Sequence, residues 1–566
     1  MPHVITQSCC SDGSCVYSCP VNCIHPSPDE PGFADAEMLH IDPVACVDCG
    51  ACVTACPVGA IRHDSRLTPE QLPFVAVNAA YYPPRPAGEK PPLTARLAPV
   101  APAPRMDRPG LRVAVVGSGP AGMYAADELL TQTGVTVNVF DKLPTPYGLA
   151  RAGVAPDHRE TRAITALFDR IAATPGFSYF LNVEVGQHLS HSELLGHHHA
   201  VLYAVGASGD RRLEVEGAGL PGVGSATETV AWINGHPRFA DRRLDLGHER
   251  VVIIGNGNVA LDLARILTAD PDSLAGTDIS DAALRALRGS SVREVVVAAR
   301  RGPADSAFTL PELIGLAARS DVVLDAGDRA LVADDLAVAR DPVTRAKLEV
   351  LAGLPDSAGP TRRPRIRLAY RLTPRRILGP DRVRAVEFAR TGGTGTVNFE
   401  SGLVLTSIGY RGEPIAGLPF DPAAAVVPNR AGRVLDPRTG SPVTGAYVAG
   451  WIKRGPTGFI GTNKSCAMQT VAALADDFNA GLLHDPVPRP AALGRLVRAR
   501  QPDVVDGDGW RAIDAEEIAR GAASGRPRVK LTSVQDMLAV ARQPVSGPLS
   551  RLRRVGDLVP ARHRLR

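Results

Sequence analysis

Nine of the ten cysteines in the chain fall between Cys9 and Cys56, and the tenth is Cys466. Cys46, Cys49, Cys52 and Cys56, followed by Pro57, spell C-x2-C-x2-C-x3-C-P. Thiolates at that spacing wrap three corners of an iron–sulfur cube, and the fourth cysteine reaches a second cluster. An earlier copy reads backwards from Cys19-Pro20. Cys15 lies four residues before Cys19, Cys9 six before Cys15, and Asp12 stands where the middle cysteine would be. Crossed ligation divides the set in two. Cys46, Cys49, Cys52 and Cys19 suit one [4Fe–4S] cluster, while Cys9, Cys15 and Cys56 suit the other, with Asp12 at its fourth corner. A carboxylate is a harder, weaker ligand for that iron than a thiolate, so the second site is read as [3Fe–4S] or as a labile [4Fe–4S] completed by Asp12 or solvent. Cys10 and Cys23 are left over, and Cys9 fits the spacing better than Cys10. Zinc favours a closed tetrahedron of paired C-x2-C ligands and suits two crossed C-P motifs poorly.

Two glycine-rich loops carry a different chemistry. Val113-Ala-Val-Val-Gly117-Ser-Gly119-Pro-Ala121-Gly122 runs from a predicted strand through G-x-G-x-x-G into a predicted helix. Gly117 permits the tight turn, Gly119 lets the backbone approach a pyrophosphate, and Gly122 lets helix and strand pack closely. The helix N-terminus offers N–H groups and partial positive charge to phosphates. Asp141 ends the next strand, where an acid can bond a ribose hydroxyl. Val251-Val-Ile-Ile-Gly255-Asn256-Gly257-Asn258-Val259-Ala260 repeats the pattern, but its next strand ends in Arg300-Arg301. Two guanidiniums there suit a 2′-phosphate, where an acid would favour NAD. Residues 269–291 read as an insertion between this loop and that strand. Two loops imply two dinucleotides, a tightly held FAD and an exchangeable NADP(H). Tyr203-Ala-Val-Gly206-Ala reads as the returning strand of the first unit, so the second unit is inserted into the first. Cys466 has no C-x-x-C partner, which argues against a disulfide reductase.

The elements that must position these groups alternate in type. Apolar runs at Arg112–Val116, Val135–Phe140, Val251–Ile254, Val295–Ala299 and Leu403–Ile408 read as strands, and Ala121–Leu130 and Val259–Leu267 as helices. Such alternation predicts a parallel α/β architecture. The 566 residues are 44% apolar and 22% charged, which excludes a disordered polyelectrolyte. No stretch is long and apolar enough for a membrane span. The net charge of +4 is too mild to argue for nucleic acid. The first eighty residues carry nine acids and two bases, net −7, so the remainder carries +11; an acidic piece is attached to a basic one, which favours docking by charge. Residues 82–109 are proline-rich and read as an extended linker. After Pro486 the chain is Arg-rich and less patterned, and its end is expected to be partly mobile. The start Met1-Pro2-His3-Val4 has no signal-peptide character, and clustered cysteines suit a reducing cytoplasm.

Residues 1–64, with Cys19-Pro-Val-Asn-Cys23-Ile and Cys46-Val-Asp-Cys-Gly-Ala-Cys52, resemble a bacterial seven-iron ferredoxin. That resemblance implies one [3Fe–4S] and one [4Fe–4S] cluster and a free cysteine at Cys23. The gap from Cys9 to Cys15 is shorter than the commonest in that family, which leaves the nuclearity of the first cluster open. Leu143-Pro-Thr-Pro-Tyr-Gly-Leu-Ala-Arg-Ala-Gly-Val-Ala-Pro-Asp-His158, Arg300-Arg-Gly-Pro, Ala307-Phe-Thr-Leu-Pro-Glu312 and Gly450-Trp-Ile-Lys-Arg-Gly-Pro-Thr-Gly-Phe-Ile460 resemble adrenodoxin reductase-type ferredoxin–NADP reductases, over about residues 111–515. By that resemblance Ala121, Asp141, Leu149 and Val185 line the adenosine and pyrophosphate part of FAD. Trp451 and Gly458-Phe459-Ile460 sit at the flavin. Asn256 to Val259, Arg300, Arg301 and Glu312 hold NADP, with Gly458 shared. Asp141 stands where many relatives have Glu, and Asp157 and His158 resemble a pair near the isoalloxazine.

The chain therefore reads as an α/β protein with two Rossmann-type units behind a small α+β ferredoxin domain. The expected divisions are an iron–sulfur domain at 1–80, a linker at 81–110, an FAD unit at 111–210 and 400–485, an NADP unit at 211–399 and an extension at 486–566. The resemblance implies an NADPH-dependent reductase that passes electrons through FAD to its own clusters or to an external ferredoxin or other one-electron acceptor, with no catalytic acid–base residue. The rival readings are an electron-input subunit like the small chain of glutamate synthase, or a redox-sensing binding protein.

Overall fold

The computed structural model describes residues 2–83, 97–100, 105–358, 363–487 and 491–543. Most of the predicted proline-rich linker and the closing arginines from Arg551 to Arg566 lie outside them.

Near-continuous apolar runs suit strands buried on both faces, and these runs build two largely parallel sheets. The first has seven strands in the order Asn429–Arg430, Arg433–Leu435, Pro442–Val448, Ala200–Tyr203, Arg112–Val116, Thr136–Asp141 and Phe177–Leu181. The last five of these pair in parallel. The second has six parallel strands in the order Val223–Ser225, Leu403–Thr406, Arg250–Ile254, Glu294–Ala298, Arg365–Ala369 and Asp321–Val323. A three-stranded antiparallel sheet, Leu372–Leu378, Ala385–Arg390 and Thr396–Glu400, packs Ile377, Val386 and Phe388 against Val252, Val296 and Val404 of that sheet.

The chain leaves the first sheet after Ala200–Tyr203 and returns to it at Asn429–Arg430, so the second unit is inserted in the first, as the placement of Tyr203–Gly206 predicts. The crossing is a two-stranded ribbon in which Gly209–Asp210 pairs with Tyr410–Arg411. This moves one expected boundary. Leu403–Thr406, placed in the FAD unit by a division at 399/400, instead lies between two strands of the second sheet. An apolar run buried on both faces reads alike in either sheet, so its pattern names no partner.

The N-terminal domain is a doubled motif. The offset that carries Cys9 onto Cys46 also carries Asp12 onto Cys49, Cys15 onto Cys52 and Cys19 onto Cys56. It superposes the short helix Ser14–Ser18 on Ala51–Ala55, and Gly13 (φ 73°) on Gly50 (φ 72°). Ser11 and Asp48 share a φ of 57°. His3–Ile5 pairs with Ile61–His63, and Ile24–His25 with His40–Ile41.

The extension after Pro486 is more ordered than its composition suggests. Helices Ala491–Arg500, Gly507–Ala523 and Val534–Ala541 pack on the first sheet and its loops through Val497, Trp510, Ile513 and Met537. Among the described residues no helix is long and apolar enough to cross a membrane.

Candidate functional site

Cys19, Cys46, Cys49 and Cys52 line one small cavity with Cys23 and Ile41. Cys23 Sγ lies 3.4 Å from Cys19 Sγ. Its thiol keeps its proton and bonds both neighbours, which draws Cys19 down to about 6 and Cys46 to about 5. Cys9, Cys15 and Cys56 form a second group with Asp12. Burial pushes Cys9 up to about 11 and Cys15 well above its ordinary range, and the charges of Asp12 and Cys56 push in the same direction. Such thiols give up their protons together only when a cation binds them. Asp12 accepts from the amide and hydroxyl of Ser14, and Lys464 Nζ approaches it to 3.9 Å.

The first glycine loop joins strand Arg112–Val116 to helix Pro120–Leu130. At Gly117 (φ 103°) a Cβ would overlap the Ala204 carbonyl, and at Gly122 it would overlap the Gly117 carbonyl, so both glycines are forced by close approach. Gly119 differs: nothing lies within 4 Å of where its Cβ would be. The chain leaves room there at a helix N-terminus, as a pyrophosphate requires. Asp141 ends its strand and accepts from the amide (2.9 Å) and hydroxyl of Ser118 and, at 3.0 Å, from the amide of Leu143. A cleft of about 340 Å³ runs past Gly117, Asp141, Val185 and Gly206. Leu149 opens a short helix after Gly148, whose Cβ would lie 3.2 Å from Gly119 Cα. Trp451 begins another short helix after Gly450 (φ 74°), where a Cβ would press on Ala121. The Trp451 indole N–H donates to the Thr457 carbonyl at 3.0 Å, and its ring lies 5.1 Å from that of Tyr410. Gly458 is exposed, while Phe459 and Ile460 are held by Thr462 and Asn463.

The second loop repeats this geometry. Gly255 (φ 111°) would overlap the Ser407 carbonyl, and Gly257 faces open space. Asn256 and Val259 are half-buried at the start of helix Asn258–Thr268, and the Asn258 side chain exchanges bonds with Thr309. Ile254 pairs with Ala298 and the Gly255 amide donates to the Ala298 carbonyl at 2.9 Å, so Arg300 and Arg301 follow at the same sheet edge. Both are exposed, and Arg301 is 3.6 Å from Asp305.

Between the two units lies a cluster that the sequence only half revealed. Asp157 and His158, from the first unit, meet Asp262 and Arg265 on helix Asn258–Thr268 and Glu312 on helix Leu310–Arg319. Burial alone would lower the His158 pKa, but the Asp262 and Glu312 carboxylates outweigh it and hold the imidazole protonated up to about 9. Burial and the Glu312 charge raise Asp262 to about 6. The His158, Asp262 and Glu312 ligand atoms lie within 4.8 Å of one another, a spacing open to a metal. The Arg265 guanidinium already supplies positive charge there. Asp262 and Arg265 were not singled out from the sequence. Their signal is an i, i+3 acid–base pair one turn inside the helix that follows a glycine loop.

Residues 111–270 match the pyridine nucleotide-disulphide oxidoreductase family, and residues 39–62 match the 4Fe-4S binding domain. The probable ferredoxin/ferredoxin–NADP reductase of Mycobacterium leprae is 69% identical over 543 residues, 96% of this chain and 98% of the relative. The chain belongs to the ferredoxin/ferredoxin–NADP reductase family. Its counterpart in Mycobacterium tuberculosis is 68% identical over 565 residues, 99% of this chain and 98% of the relative. NADPH-ferredoxin reductase FprA of M. tuberculosis is 41% identical over 454 residues, 76% of this chain and 98% of its own. The solved structure of that FprA in complex with NADPH aligns with a TM-score of 0.71 at 40% identity, over 77% of this chain and all of the other. The family is one of oxidoreductases, and its two parts are joined here as they are in the full-length relatives.

Proposed function

We propose that the chain binds FAD at the Gly117–Gly122 loop, NADPH at the Gly255–Ala260 loop and two iron–sulfur clusters on its doubled cysteine motif, and that it reduces a ferredoxin or similar one-electron acceptor. The observation that carries this reading is the open space at both Gly119 and Gly257, on two units joined across the His158–Asp262 cluster. FAD would supply the exchange between a two-electron hydride donor and one-electron carriers, and the clusters one-electron storage.

The residues' own work is placement and charge. Helix N-terminal amides after Gly119 and Gly257 receive the pyrophosphates. Asp141 keeps lone pairs for a ribose hydroxyl beyond its bonds to Ser118 and Leu143. Arg300 and Arg301, exposed at the sheet edge, receive the 2′-phosphate. The amides of Gly458 to Ile460 and the Trp451 ring flank the flavin, with Ala121, Leu149 and Val185 along the rest of the FAD. Glu312 orients the nicotinamide end, and protonated His158 keeps a positive charge beside it; no residue acts as an acid or base in the hydride step. Cys19, Cys46, Cys49 and Cys52 hold a [4Fe–4S] cluster. Cys9, Cys15 and Cys56 hold the other, a [3Fe–4S] or a [4Fe–4S] completed by Asp12. Thiolates of this kind suit a reducing cytoplasm.

The test is composition and turnover together. Anaerobically purified protein should contain flavin, iron and acid-labile sulfide, and should reduce ferricyanide or cytochrome c with NADPH. A colourless product, or bound cofactors without NADPH-dependent reduction, overturns the reading.

A further inference from the structure

The two cysteine groups stand in different places relative to the flavoprotein body. Cys9, Cys10 and Cys56 pack into the core of the first sheet with Tyr124, Ile460 and Ala467. The Gly461 amide donates to the Cys10 carbonyl at 2.8 Å. A Cβ at Gly461 would overlap that carbonyl and the Asp12 backbone, so only glycine admits this approach. Lys464, one turn into helix Thr462–Asn479, donates to Ser14 Oγ at 2.8 Å beside Asp12. Residue 461 directly follows the Gly458–Ile460 segment assigned to the flavin. The Cys19 group lies in the core of the N-terminal domain, which Leu310 and Ile314 of the second unit join, and its loop faces outward, with Cys49 exposed and Val44 and Val47 56% and 58% exposed.

The domain is also fixed in this pose. Glu37 caps helix Leu310–Arg319 through the Leu310 amide at 2.7 Å and pairs with Lys347, and Arg62 and Ser8 both bond Glu160. These contacts reach both units of the reductase, so the acidic head docks on its own body.

Resting on the cofactor reading above, we infer that the Cys10–Asp12 loop seated on Gly461 is the entry port of the iron–sulfur domain, and that the Cys46–Cys52 loop is its exit. The Cys9, Asp12, Cys15 and Cys56 set is inner, and the Cys19, Cys46, Cys49 and Cys52 set is outer. Electrons balance with one NADPH oxidised to NADP+, one electron stored on each set and one proton released.

The experiment is rapid-freeze EPR of the full chain after anaerobic mixing with NADPH, with iron content and flavin absorbance measured on each sample. In Cys9→Ala the outer [4Fe–4S] set, silent to EPR when oxidised, should develop no signal at times when the flavin has bleached. In Cys46→Ala the inner signal should still change. If the iron content of Cys9→Ala shows both clusters lost, Gly461→Val decides. It replaces no cysteine, and its displacement of the Cys10–Asp12 loop should slow reduction of both sets several-fold relative to flavin bleaching. Prompt outer reduction in Cys9→Ala, or cluster reduction keeping pace with the flavin in Gly461→Val, overturns the inner–outer order. Failure of NADPH to reduce either set in the unmodified chain would instead sink the cofactor reading.

Discussion

The two glycine loops share strand, turn and helix, yet they end in opposite ways. The Gly117 loop has later chain close around it: Asp141 is tied to Ser118, Gly148 approaches Gly119, and a Cβ at Gly450 would press on Ala121. The Gly255 loop stays open at its edge, with Arg300 and Arg301 exposed. On the function proposed above, one motif would serve a resident dinucleotide in one place and an exchangeable one in the other. What differs is the later chain that folds over it, not the loop itself.

The sharpest way to break that contrast is to fill each open glycine. A Cβ at Gly119 has nothing within 4 Å, so Gly119→Val should fold and lose nearly all its flavin, read as the flavin-to-protein ratio. Gly257→Val should keep its flavin and lose NADPH-driven bleaching. Flavin retained in the first variant, or lost in the second, would erase the distinction between the loops.

Arg300→Ala combined with Arg301→Ala comes next. Exposed charge-assisted bonds to phosphate are worth about 1.5 kcal/mol each, so kcat/KM for NADPH should fall roughly 10²-fold while that for NADH barely moves. An equal loss for both cofactors would move the 2′-phosphate elsewhere.

His158 gives a pH signature. Its folded pKa, about 9, lies above the ordinary value of 6.5, so its ion pairs stabilise the fold fully below pH 6.5 and cease to do so as pH rises through 9. Thermal stability should decline across that window in the parent chain, and the decline should flatten in His158→Gln. The smallest effect belongs to Arg62→Ala. Its pair with Glu160 is partly exposed, so removal should cost about 0.5 kcal/mol in a melt.

What could be read from the sequence was local. The cysteine spacing, the glycine loops and the acid or arginines ending the following strands each sit within a few dozen residues, and their geometry follows from chain sterics. Contacts between distant segments left no local trace. Nothing beside Glu37 announces Leu310, and nothing beside Cys10 announces Gly461. The helices after Pro486 leave little trace in the sequence for another reason. The inner face of helix Gly507–Ala523 is Gly509, Trp510, Ile513, Glu517 and Gly521. Small residues and a fully buried acid, paired with Arg151 and Arg528, replace the apolar stripe that marks a packed helix.

The most direct test of the whole account is an anaerobic titration of the unmodified chain with NADPH, following flavin absorbance and cluster EPR in the same samples. The account predicts that the flavin bleaches and that both cluster signals then change, with no added carrier. Bleaching that leaves both cluster signals untouched after prolonged incubation would contradict it.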